Sequence, residues 1–131
     1  MNIRQESFIN LFDELAAKAH AHALSKGFWD AANALQSLAD ANGMGDVCRK
    51  QRDAQLNAMI AGEIGEALEG SRRDLASEKI PGFTNEEEEY ADAIIRIMDK
   101  AGARKLRIGE AIIAKMEHNA GRPAMHGGKK F

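Results

Sequence analysis

Phe8, Leu11, Phe12 and Leu15 recur at i, i+3, i+4 and i+7, the spacing of one helix face, so residues 3–24 read as an amphipathic helix that stops near Gly27. Ala31, Leu35 and Leu38 predict a shorter helix after Asp30 as its cap, ended by Gly43. Residues 41–46 carry two glycines and read as a loop. From Val47 to about Leu75 no proline interrupts a long helical pattern whose apolar arc is Leu56, Met59, Ile60, Ile64, Ala67 and Leu68. Ile80-Pro81-Gly82-Phe83 breaks the chain, and Thr84 followed by Glu87, or Asn85 followed by Glu88, is a capping-box signature that opens the next helix. That helix carries Tyr90, Ile94, Ile97 and Met98 on one stripe and ends near Gly102. A last helix over residues 107–119, with Ile108, Ile112 and Met116 inward, stops at Gly121-Arg122-Pro123. The expected fold is therefore all-α, a four- to five-helix bundle, with residues 1–123 as one helical domain. Residues 124–131 form a basic Gly/Lys-rich tail without periodicity.

Composition supports this reading. The apolar content is mostly Ala, Leu, Ile and Met, with one Val and one Thr, and a chain of 131 residues is long enough to bury a core without staples. The single Cys48 has no partner for an internal disulfide. No apolar run approaches the ~20 residues of a membrane span, and the first residues lack a signal-peptide core, so a cytoplasmic protein is expected. A net charge of -2 argues against binding a nucleic-acid polymer. Any anionic ligand must then be met by a local cluster of cations or by a metal.

Certain carboxylates fall where a core should be. At about 100° per residue, Leu56, Ile60 and Ala67 lie within about 60° of Glu63, and Met59 about 40° to its other side. Glu63 thus sits inside the apolar arc and Glu66 at its border. An ionised carboxylate there loses several kcal/mol of hydration unless an Arg or Lys, a proton or a cation replaces the water. Glu89 and Asp92 repeat the i, i+3 spacing on the next helix, flanking its apolar stripe. Two antiparallel helices then present four carboxylates to one cleft. Oxygen-only ligands of this hardness suit Mg²⁺ or Mn²⁺, and no Cys or His shares the face to favour zinc.

Ordinary roles compete for the same residues. A lone E-x-x-E is usually a surface or salt-bridged pair, and Glu86 and Glu87 fit a helix N-terminus complementing the macrodipole. Arg72, Arg73, Arg96 or Arg104 would neutralise carboxylates without metal. The conjunction of two pairs on consecutive helices, both beside the apolar side, favours the metal reading. At the other end, Lys115, Asn119 and Arg122 share a face of the last helix at i, i+4 and i+7, with His126, Lys129 and Lys130 after them. Cations at a helix C-terminus also serve the macrodipole, yet Lys and Arg beside an Asn suit phosphate oxygens.

Gly62-Glu63-Ile64-Gly65-Glu66-Ala67-Leu68-Glu69 resembles the first half of the E-x-x-E…E-x-x-D signature of MazG-like all-α NTP pyrophosphatases. Glu88-Glu89-Tyr90-Ala91-Asp92-Ala93-Ile94-Ile95-Arg96-Ile97-Met98-Asp99 resembles the second half. Lys115-Met116-Glu117-His118-Asn119-Ala120-Gly121-Arg122-Pro123, ending His126-Gly127-Gly128-Lys129-Lys130-Phe131, resembles the C-terminal block of small phage and bacterial members. Gly27-Phe28-Trp29-Asp30 is similar to the segment before the first acidic motif in some of them.

The resemblance implies a helical homodimer or homotetramer that hydrolyses (d)NTPs to the monophosphate and pyrophosphate with Mg²⁺. It implies Glu63, Glu66, Glu89 and Asp92 as metal ligands and Lys115, Asn119 and Arg122 as triphosphate contacts. Glu66 is the candidate general base. Trp29 is a candidate base-stacking side chain, with a core or interface position as the alternative. One departure stands out: Gly62 replaces a frequent Ser; residues 72–83 match no named part of the pattern, which leaves substrate selection open. The few large aromatics and four carboxylates that need water-excluding walls also predict at least a dimer. The competing reading is a non-catalytic helical interaction protein whose acidic pairs are structural ion pairs.

Overall fold

The computed structural model describes residues 1–124 and Lys130; the expectations for His126, Lys129 and Phe131 fall outside these. Among the described residues five helices run α1 (Ile3–Ser25), α2 (Asp30–Ala41), α3 (Gly45–Arg72), α4 (Asn85–Arg104) and α5 (Ile108–Ala120). Among the described residues there is no strand, only an isolated antiparallel bridge between Ala76 and Thr84. Among the described residues no helix is long and apolar enough to cross a membrane.

The ends follow from local chemistry. Asn2 and Gln5 form a capping box at the start of α1, and Thr84 with Glu87 forms the one at α4, which selects the first of the two expected pairs. Asp30 is not a cap. Gly27 turns the chain at φ 79°, its carbonyl accepts from the Asp30 N–H, and Trp29 becomes the N-cap without a side-chain bond. Asp30 is left as the negative charge of the first turn. α3 ends at Arg72, short of Leu75, because Asp74 enters the left-handed region at φ 48° and the Leu75 N–H returns to the Gly70 carbonyl.

α4 is the centre of the molecule. It packs against α3 and α1, α2 lies on α3, and α5 lies on α1. As residue numbers fall along α1, the partners rise: His20 meets Asp99, Ala16 meets Gly102, and Phe12 meets Gly109. α1 therefore runs antiparallel to α4 and continues past it to α5.

Small residues let the helices approach. A Cβ on Gly102 would lie 2.7 Å from the His20 Cβ and 2.9 Å from the Ala16 carbonyl oxygen. The buried apolar side chains are Ala16, Ala23, Trp29, Leu56, Ala67, Ala93 and Ala101. Trp29 anchors them at 3% exposure. Its Nε1 donates to Asp99 at 3.0 and 3.1 Å, and Asp99 also holds the His20 Nδ1 at 2.8 Å. The Arg52 guanidinium lies 4.9 Å from the ring centroid and that of Arg104 5.8 Å. Trp29 thus takes the core position of its two expected ones, and its ring is closed to a stacking base in this conformation.

Apart from Trp29 and Leu56, the larger apolar side chains among the described residues are not buried within one chain. Phe8, Leu11 and Leu15 on α1, Tyr90 and Ile94 on α4, and Met116 on α5 are all exposed, although their spacing predicts inward faces. The chain exposes 9694 Å², whereas a compact monomer of 14.3 kDa exposes about 6,800 Å². The segment after Pro123, whatever its conformation, supplies at most about 1,300 Å² of that excess.

Candidate functional site

α3 and α4 lie side by side, and the acids expected on them meet at the end of the pair near the connector of residues 73–84. Glu63, Glu89 and Asp92 each offer a carboxylate oxygen, and these oxygens lie within 4.8 Å of one another. Glu63 and Glu89 are buried and Asp92 is half-buried. Glu66 is exposed at the lip and is not part of that group of three. It is near enough to raise the proton affinity of Glu89. Three of the four expected ligands thus converge, with the fourth at the border where its helical angle puts it.

Gly70 makes this junction possible. A Cβ there would lie 1.9 Å from Asn85 Oδ1, so only glycine admits the Asn85 side chain against α3. Asn85 Nδ2 in turn donates to Glu89 Oε1 at 3.2 Å and fixes that carboxylate. The connector is strapped to the same end of α4. Glu88, which is buried, accepts a hydrogen bond from the Ser77 hydroxyl and pairs with Lys79 Nζ at 3.0 Å. These contacts hold Glu88 below the ordinary carboxylate range, the Ser77 bond first and Lys79 second.

Two cations border the carboxylates. Arg96 Nε donates to Glu63 Oε1 at 2.5 Å, with the Arg96 side chain 41% exposed. Of the four arginines considered as neutralisers, it is the one that reaches Glu63. Lys79 is held above its ordinary value by Glu88 first, and also by Asp92 and Glu89, so its charge stands over the same cluster. Sequence reasoning missed Lys79, because the connector that carries it has no periodicity to place it.

The cluster divides its charge unequally. Burial pushes the Glu63 carboxyl up, but the hydrogen bond and charge of Arg96 outweigh it and bring Glu63 below 4.5. Glu89 has no such cation in contact. Burial, then the neighbouring Glu63 and Glu66, push it above 4.5, so of the two it holds its proton to the higher pH. A group whose pKa is raised on folding binds its proton more tightly in the folded state, so stability is lost as pH rises through the folded pKa. The melting temperature of metal-free protein should accordingly fall as pH is raised above 4.5. Saturating Mg²⁺ should oppose that fall, because the ionised form is the ligand. Parallel pH profiles in chelator and in Mg²⁺ would show that the cluster takes no cation.

The basic triad lies elsewhere. Lys115, Asn119 and Arg122 are exposed at the C-terminal end of α5, where Glu117 accepts from Gln5 at 2.8 Å. From Asp92 to Gly102 along α4 is about 15 Å, and from Ala16 to Gln5 along α1 about another 16 Å in the same direction. Within one chain the acidic and basic clusters thus stand about 30 Å apart. Set against protein-family models, curated proteins and solved structures, the chain finds no match.

Proposed function

We propose that this protein is a Mg²⁺-dependent nucleoside triphosphate pyrophosphohydrolase of the MazG-like kind, converting a (d)NTP and water to the monophosphate and pyrophosphate in the cytoplasm. The observation that carries the proposal is the convergence of Glu63, Glu89 and Asp92 from two helices, with Glu89 pushed toward its protonated form by burial and by Glu63 and Glu66. The donor set is all oxygen, which fits Mg²⁺ or Mn²⁺. Glu63, Glu89 and Asp92 would hold the ion, with Glu66 completing the set from the lip. Bound there, such an ion supplies a polarised phosphoryl oxygen and a water of lowered pKa.

Glu66, exposed at the lip and outside the group of three, would take the proton from the attacking water. Arg96 and Lys79 border the carboxylates in the same chain and would neutralise phosphate oxygens there. Lys115, Asn119 and Arg122 can join the site only from a second copy, given their separation within one chain. The excess of exposed surface and the uncovered stripe of Phe8, Leu11 and Leu15 support a homodimer or homotetramer.

The test is a panel of the eight common (d)NTPs with Mg²⁺, read as pyrophosphate and monophosphate, beside light scattering of the same preparation. Hydrolysis of at least one triphosphate, abolished by chelator, from a species larger than 14.3 kDa is the expected result. A second reading draws on the Arg96–Glu63 pair, which neutralises Glu63 without metal: a non-catalytic interaction protein with structural ion pairs. It predicts no hydrolysis and no divalent-ion binding by calorimetry, and that joint outcome would replace the enzyme reading.

A further inference from the structure

A cleft of about 420 Å³ opens between α2 and α3, away from the carboxylates. Phe28 and Leu35 form its apolar side, and Cys48, Gln51, Arg52 and Gln55 its polar side. We propose that this cleft is the base pocket of the substrate, taking a nucleobase that carries a ring carbonyl. The inference rests on the pyrophosphohydrolase reading and adds to it the substrate class.

Arg52 sets which donors the cleft offers. It is partly buried, its Nε is enclosed without a hydrogen-bond partner, and among the described residues no carboxylate pairs with it. One face of its guanidinium is taken by Trp29, and its Nη1 donates to Gln55 Oε1 at 2.6 Å. Arg52 has donors only, so it fixes the Gln55 amide with the oxygen toward itself and the NH₂ left to offer on the cleft wall. A donor held in place opposite the apolar side selects a flat ring with an exposed carbonyl oxygen. Gln51 supplies the donor or acceptor beside it.

The cleft is also in register with the carboxylates. Gln55 and Glu63 are eight residues apart on α3, about 12 Å along the axis, a distance a nucleoside triphosphate bridges from base to phosphates. At about 100° per residue, Cys48, Gln55 and Glu66 fall within about 20° of one line, with Met59 between them. α2 covers only the N-terminal half of α3, so the line stays open from the cleft to the lip.

Gln55→Leu keeps the side-chain bulk and removes the donor. We expect it to raise KM for dTTP, dUTP and dGTP about tenfold or more, with dATP affected least and kcat changed little. Trp29 is the single tryptophan and backs Arg52, so thymidine alone, in chelator, should shift its fluorescence in wild type and not in Gln55→Leu. If wild type hydrolyses triphosphates while Gln55→Leu leaves every KM unchanged, or thymidine leaves the fluorescence of wild type unmoved, the base lies elsewhere and the inference fails. If no triphosphate is hydrolysed yet thymidine still gives the Gln55-dependent shift, the pocket stands and the pyrophosphohydrolase reading falls. A dimer that Leu35→Glu dissociates, in a wild type blind to thymidine, would assign the cleft to a second copy and overturn the inference.

Discussion

Glu63→Gln is expected to lower Mg²⁺-dependent triphosphate hydrolysis by about a thousandfold, near 4 kcal/mol of lost transition-state stabilisation. The amide keeps the shape and helix propensity of the side chain and removes the charge that would hold the ion. From the apolar arc alone, an uncompensated carboxylate would make the variant more stable than wild type without metal. The structure supplies a compensating partner, Arg96, at 2.5 Å, and this reverses the sign. The introduced amide retains an acceptor for Arg96, and Arg96 is half-exposed and returns partly to water, so the metal-free protein should lose only about 1 kcal/mol. The decisive comparison is turnover per folded molecule. A variant that is destabilised, yet turns over at the wild-type rate once corrected for its folded fraction, removes Glu63 from the site and leaves it a structural ion pair.

The second large effect falls on stability. Trp29→Ala should cost about 3–5 kcal/mol, a substantial part of what a domain of this size has in hand. It empties the one bulky element of a core otherwise built from alanines and Leu56. It also strips Asp99 of the indole donor and leaves Arg52 and Arg104 facing a void. Trp29→Phe separates packing from recognition. It keeps a ring, loses the bond to Asp99 and should cost about 1–3 kcal/mol, while the folded fraction retains its KM for triphosphate. Chemical denaturation and KM measured on the same variant check both. A KM that rises with no loss of stability would return Trp29 to the substrate.

Much of the fold was legible because its punctuation is local. Pro81-Gly82, Gly43 and the Thr84–Glu87 capping box mark helix ends through backbone chemistry that needs no partner. The carboxylate cluster was legible for a related reason: helical angle placed Glu63 in an apolar arc, and a buried charge needs an explanation wherever it falls. Other residues were hidden because their meaning is tertiary. Asp99 looks like any polar residue late in a helix until Trp29 and His20, 70 and 79 residues away, arrive at its oxygens. Glu88 disappears in a run of four glutamates that only the Ser77–Lys79 connector distinguishes. The separation of about 30 Å between the α5 cations and the acids is invisible to sequence order, since it depends on α1 carrying α5 away from α4.

The seam between α1 and α4 bears on how the chain reaches this structure. α2 with α3 and α3 with α4 are consecutive helices, so their contacts close far less chain than those of α1 with α4. α1 instead finds α4 across a span such as the 79 residues between His20 and Asp99, and that closure is entropically dearer. The α2–α3–α4 unit should therefore be organised in the folding transition state, with α1 docking after it. Gly102→Ala, which sets a methyl against the Ala16 carbonyl, should then accelerate unfolding several-fold and leave the refolding rate nearly untouched. A refolding limb slowed as much as the unfolding limb is quickened would instead place α1 in the nucleus.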